Sequence, residues 1–156
     1  MTTAPPNPKS AMASTAAGHF LRLAAAATTA ASGYIHAQLY VSGYRFIHAV
    51  GILFLLQAAA SFAIAALLLI GGPAWLRLLA AGAAIGALTG FAASRTIGVF
   101  GFTERGFQPA PKALLSVLAE VATLLFLTPA LIEVSQEVLR YGRHHREKPR
   151  RVSLRT

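Results

Sequence analysis

Residues 46–76, FIHAVGILFLLQAAASFAIAALLLIGGPAWL, run for 31 positions without a charged side chain. One crossing of a hydrocarbon core needs about 20 apolar residues, so the stretch is too long for a single helix. Gly71-Gly72-Pro73 divides it. Glycine suits the position just past a helix end, and proline suits the first turn of the next helix. The stretch therefore reads as a tight helical hairpin, with one helix over 46–70 and another over 74–94.

Working outward, a further apolar segment, 112–134, opens after Pro109-Ala110-Pro111 and is interrupted by one charge, Glu120, between Lys112 and Glu133 at its ends. Upstream, 18–40 is rich in Ala and Thr and is the least hydrophobic of the segments. Arg22 ahead of an apolar run ending in small residues also fits a signal peptide. The long stretch before it, and the apolar continuation through Tyr34, Ile35, Leu39 and Tyr40, favour a retained transmembrane helix. The expected fold is all-α: a bundle of four transmembrane helices in two helical hairpins, over 18–40, 46–70, 74–94 and 112–139. Residues 1–17, with three prolines and many small side chains, read as a disordered tail, and 140–156 as a basic tail.

Composition points the same way. The chain is 55% hydrophobic and 12% charged, about half the charge of a soluble domain, which is roughly 25%. Cysteine is absent, which excludes disulfides, thiol catalysis, thiolate metal sites and iron–sulfur clusters. Aspartate is absent as well, leaving Glu104, Glu120, Glu133, Glu137 and Glu147 as the carboxylates.

Orientation follows from the basic residues near the spans. With both termini inside, the inner side holds ten: Lys9, Arg22, Arg77, Arg140, Arg143, Arg146, Lys148, Arg150, Arg151 and Arg155. The outer side holds four: Arg45, Arg95, Arg105 and Lys112. The reading is a multi-pass plasma-membrane protein with both termini cytoplasmic. The run from Arg140 to Arg151 then lies beside anionic headgroups, each basic residue contributing on the order of 1 kcal/mol. Topology and lipid contact account for that run without nucleic acid.

Helices in lipid associate through close packing and polar contacts. Gly82, Gly86 and Gly90 recur every four residues, with Ser94 one step further. That face admits a neighbouring helix of this chain, of a second copy or of another subunit. Short polar stripes mark the other helices: Thr28, Ser32 and His36; Gln57 and Ser61; Ser116, Glu120 and Thr123. Polar side chains facing hydrocarbon are costly, so these stripes should turn inward. Glu120, about 12 Å below the helix end by 1.5 Å per residue, reads either as a ligand, ion or proton site or as a structural contact to Gln57 or Ser61.

His36 and His48 each lie six residues from Ser42, at similar depth, which permits a shared metal or haem; interfacial hydrogen bonding is the plainer reading. The segment Ser94–Gln108 carries three glycines and three phenylalanines. It should fold back onto the bundle mouth, where Arg95, Glu104 and Arg105 form ion pairs or hold an anionic ligand.

Gly43-Tyr44-Arg45, Gly51 with Phe54-Leu55, Ser94-Arg95-Thr96-x-Gly98-x-x-Gly101-Phe102-x-Glu104 and Glu120 together resemble a group of small, uncharacterised four-helix bacterial membrane proteins. The resemblance covers residues 20–130. It implies the bundle and draws attention to the outer loop, and it implies no activity or cofactor.

Paired acid and base groups, or a nucleophile with an oriented base, are what hydrolysis needs. Here the candidates are scattered at different depths, so no enzyme is expected. The expectation is a non-catalytic accessory or structural subunit of a larger membrane assembly. The alternative is a protein that binds a small molecule, metal, haem or ion at the outer mouth.

Overall fold

The computed structural model describes residues 8–146. Four α-helices account for most of them: α1 (Pro8–Ser42), α2 (His48–Leu69), α3 (Trp75–Thr96) and α4 (Lys112–Arg146), with a 3-10 turn, η1 (Tyr44–Phe46), between α1 and α2. Among the described residues, three helices are long and apolar enough to cross a membrane: His48–Leu69, Trp75–Thr96 and Lys112–Gln136. α1 packs against α2 and α4, and α3 closes the ring against the same two helices.

The punctuation works as its chemistry dictates. Gly71 ends α2 at a φ of 86°, a conformation that favours glycine. The N–H groups of Gly71 and Gly72 turn back onto the carbonyls of Leu68 (3.2 Å) and Leu67 (3.0 Å). Pro73 precedes α3 and accepts from the N–H of Leu76 at 3.0 Å. Pro109 and Pro111 accept from Ala113 and Leu115, each at 3.0 Å, and start α4.

Two expected boundaries move. α1 is helical from Pro8, so the described part of the 1–17 tail is helix rather than disordered chain. Ser10–Ala17 is mostly Ala, Ser, Thr and Met with no proline, and a helix that already exists adds one hydrogen bond for each residue it gains. α4 likewise continues to Arg146, past the expected end at 139. Arg140, Arg143 and Arg146 therefore ride on its last turns, Arg140 exposed, while Lys148, Arg150 and Arg151 lie outside the described residues.

The core is layered along the bundle. Near the α2–α3 turn it is built from small and aliphatic side chains: Ala25, Ala26, Ile64, Leu68, Leu76, Ala80, Ala81 and Leu127. At the opposite end Leu39, Tyr44 and Val50 pack with Phe54 and Phe102. Between them lies a buried polar layer containing Thr29, Ser32, His36, Ser61, Ser116, Glu120 and Thr123. On α1, Ala25, Thr29, Ser32, His36 and Leu39 are buried at three- and four-residue spacing, which is one helical face.

The small residues that bring helices together are not those of the α3 stripe. Gly82, Gly86 and Gly90 are exposed, and a Cβ added at any of them meets nothing within 4 Å. Packing of its three glycines within the chain is thus corrected, whereas Ser94 at the end of the stripe is buried. Gly33 is the close contact instead: its Cβ would lie 3.0 Å from the Cβ of Ser61 and 3.3 Å from the carbonyl of Ala58. We expect Gly33→Ala to lower the melting temperature in detergent, at the roughly 1–3 kcal/mol that overpacking costs. Gly82→Ala should leave it unchanged or raise it, since Ala is the better helix former by about 1 kcal/mol. Equal melting temperatures would show that α1 and α2 do not meet at Gly33.

Candidate functional site

The segment after α3 forms a strap. Gly98 takes a φ of 81° and its N–H closes on the carbonyl of Ala93 at 2.8 Å. Val99 and Phe102 then pair through two backbone hydrogen bonds of 2.8 and 2.9 Å around Phe100 and Gly101, both at positive φ. That is the backbone of a tight two-residue hairpin. The chain returns with the N–H of Glu104 on the carbonyl of Ser94 at 2.9 Å. Of the strap's three phenylalanines, Phe102 turns in against Tyr44, Phe107 lies 5.5 Å from the Phe91 ring but stays half-exposed, and Phe100 at the hairpin tip is exposed.

Arg95 holds the strap down. Its Nη1 pairs with Oε2 of Glu104 at 2.8 Å and also donates to Ser94 Oγ. Nε donates to the carbonyl of Gly106 at 3.0 Å and Nη2 to that of Gln108 at 2.6 Å. The guanidinium lies 3.9 Å above the centre of the Phe91 ring. The ion pair expected of Arg95 and Glu104 is present, and four of the guanidinium's five N–H groups are spent on the protein itself. Arg105 is exposed and takes no part in the site.

Tyr44 joins the strap to the turn between α1 and α2. Its hydroxyl donates to the Glu104 carboxylate, and its ring stacks on Phe54 at 4.5 Å. Its place is fixed by Gly51, where an added Cβ would come within 2.7 Å of the Tyr44 carbonyl. Burial first, and the Glu104 carboxylate second, push the Tyr44 phenol above its ordinary value.

Below this layer, Ser32 on α1 donates to Oε1 of Glu120 on α4, and Gln57 on α2 approaches the same carboxyl. Gln57 Nε2 also donates to the Ala83 carbonyl of α3 at 3.3 Å. One turn further from the strap, Thr123 donates to Thr28 at 2.7 Å. The polar stripes of α1, α2 and α4 therefore meet at Glu120.

A cavity of about 320 Å³ lies between the Glu120 layer and the strap. Its polar lining includes His36, Tyr44, Gln57, Arg95, Glu104 and Ser116; Leu39, Val50, Phe54 and Phe91 supply apolar wall, and Gly86 and Gly90 part of the α3 side. His36 is 7% exposed and lines this cavity, whereas His48 is exposed on the first turn of α2 and does not line it. A metal or haem shared by the two histidines is thus corrected, because the turn rotates one imidazole inward and the other out. Among the described residues no three His, Asp or Glu side chains gather as metal ligands.

Sequence reasoning missed Tyr44 as the partner of Glu104. Its signal was a hydroxyl-bearing ring in the short turn between two apolar segments, beside Gly43. The chain matches no known family model, no curated protein and no solved structure.

An unfolded phenol loses its proton near pH 10, while folded Tyr44 keeps it to higher pH. The stabilisation it gives is therefore complete below about pH 10 and is lost as the pH rises towards the folded value. Wild type should melt above Tyr44→Phe by the equivalent of about 1–2 kcal/mol at neutral pH. The gap should close in alkaline melts; a gap constant through pH 11 would contradict the assignment.

Proposed function

We propose that this chain is a plasma-membrane protein that binds a small lipophilic molecule, without catalysing a reaction, in the cavity beneath the strap. The cavity carries the reading. It is drawn from all four helices, and most of its wall is apolar. Its few polar groups lie at its two ends, Tyr44, Arg95 and Glu104 at the strap and His36 and Gln57 at the floor. That is the usual make-up of a small-molecule site, and 320 Å³ falls at the small end of the usual range, roughly 300–1,000 Å³.

In this proposal α1 crosses the membrane as a fourth span. Arg22 lies against the α2–α3 turn at Gly71, and Ser42 accepts from Lys112 Nζ at 2.8 Å at the opposite end. The 20 steps between them rise about 30 Å, the thickness of the hydrocarbon core. Thr29, Ser32 and His36 reduce the helix's overall apolarity, yet all three are buried. The ten-to-four bias of basic residues supports cytoplasmic termini, a cavity on the outer side and a basic C-terminal run at the anionic inner leaflet.

A second reading, an accessory subunit of a membrane assembly or a homo-oligomer, is favoured by the exposed glycines of α3, which leave room for a foreign helix backbone. Native mass spectrometry of protein gently released from its own membranes separates the two. The binding reading predicts one chain carrying an organic mass that Gly90→Leu, which fills open space beside the cavity, removes. A bare chain contradicts it, and a fixed complex with other polypeptides or further copies establishes the second reading.

A further inference from the structure

The cavity lining is short of free donors. The Tyr44 proton goes to Glu104, that of Ser94 goes to the Phe91 carbonyl at 2.8 Å, and Gln57 Nε2 donates to the Ala83 carbonyl. Arg95 spends four of its five N–H groups on Glu104, Ser94, Gly106 and Gln108. His36 is the opposite case. Its Nδ1 sits 2.9 Å from the Ser32 carbonyl, an oxygen that only accepts, so Nδ1 carries the hydrogen. Ser32 Oγ lies 3.3 Å from the same nitrogen, and its own hydrogen is directed at Glu120. The Glu120–Ser32 pair therefore reinforces one tautomer of His36. In the neutral ring, the form an apolar surrounding permits, Nε2 is left as a bare acceptor. It has no hydrogen-bond partner among the described residues and is not one of the occluded polar atoms, so it opens into the cavity that His36 lines.

The walls beside it are aromatic. Phe54 lies 5.4 Å from the His36 ring and stacks on Tyr44, and Phe91 and Phe102 also line the space. We propose that the cavity selects an aromatic alcohol, a phenol or hydroquinone with an apolar tail, whose O–H donates to Nε2 of His36. This rests on the cavity being the binding site. A ligand of the same shape without that hydrogen leaves Nε2 unpaired, and sites built around a hydrogen bond reject analogues that lack it. Ser116, the remaining hydroxyl in the lining, rotates to suit either kind of ligand.

The test uses the full chain with ¹⁵N-labelled histidine in phosphatidylcholine nanodiscs. In the ligand-free protein, long-range ¹H–¹⁵N spectra should show His36 as the Nδ1–H tautomer; an Nε2–H ring overturns the inference whatever binds. The probes are 4-nonylphenol and 4-nonylanisole, compared at equal amounts per lipid. The phenol should shift Nε2 of His36 at a concentration about tenfold or more below the anisole, the size of one lost hydrogen bond. Equal occupancy overturns the selectivity while leaving the cavity as a binding site. If neither probe moves the His36 signals, the binding site itself is refuted. His36→Phe should bind both probes alike; should that variant not fold, the tautomer measurement on wild type still decides.

Discussion

Hydrocarbon offers polar side chains no partner, and this single constraint organises the molecule. α1 brings Thr28, Thr29, Ser32 and His36 into the bundle, and an α-helix has one rotation that buries such a row. The row is met by Glu120 and Thr123 on α4 and by Gln57 on α2. Ser32 lies ten residues from both Arg22 and Ser42, so its hydrogen bond to Glu120 falls about 15 Å from either end of the proposed span. A lost partner at that depth has no water to replace it. Apolar contact alone would not fix the rotation, because lipid tails satisfy leucine as well as another helix does.

Once α1 is fixed in rotation, two consequences follow. Gly33, one residue past Ser32, is turned onto Ala58 and Ser61, which lets α2 approach closely. His36, one turn further on, is carried beneath the strap, where its ring forms part of the cavity floor. The strap is held by a separate set of contacts in which Arg95 binds the returning chain and Tyr44 anchors it to the α1–α2 turn. The cavity is the space left between a polar layer set by α1 and a cap set by the α3–α4 connection.

Features governed by local chemistry were legible in the sequence. The Gly71-Gly72-Pro73 turn and the Pro109–Pro111 start of α4 need only their own backbone preferences. The polar stripes were legible because spacing alone puts Thr28, Ser32 and His36 on one face. What spacing does not give is which way a face points. The four-residue glycine repeat of α3 looked like the packing face, yet its glycines meet no neighbouring helix and two of them border the cavity, while a single glycine in α1 makes the close contact. His48 matched His36 in depth and not in direction, since a turn lies between them. The Tyr44–Glu104 pair joins residues 60 apart, a separation at which local rules are silent.

We propose that α1, the helix not apolar enough to span by composition alone, crosses the membrane because its polar face is buried inside the bundle. A chain without cysteine permits a direct test by single substitutions. Met12 and Phe46 are 75% and 78% exposed and flank the proposed span of α1. Met12→Cys and Phe46→Cys should be treated in intact cells with a membrane-impermeant maleimide, and again after permeabilisation. Phe46→Cys alone should label in intact cells, and both variants should label afterwards. Labelling of both in intact cells, or protection of both, would place the two ends of α1 on one side and contradict it.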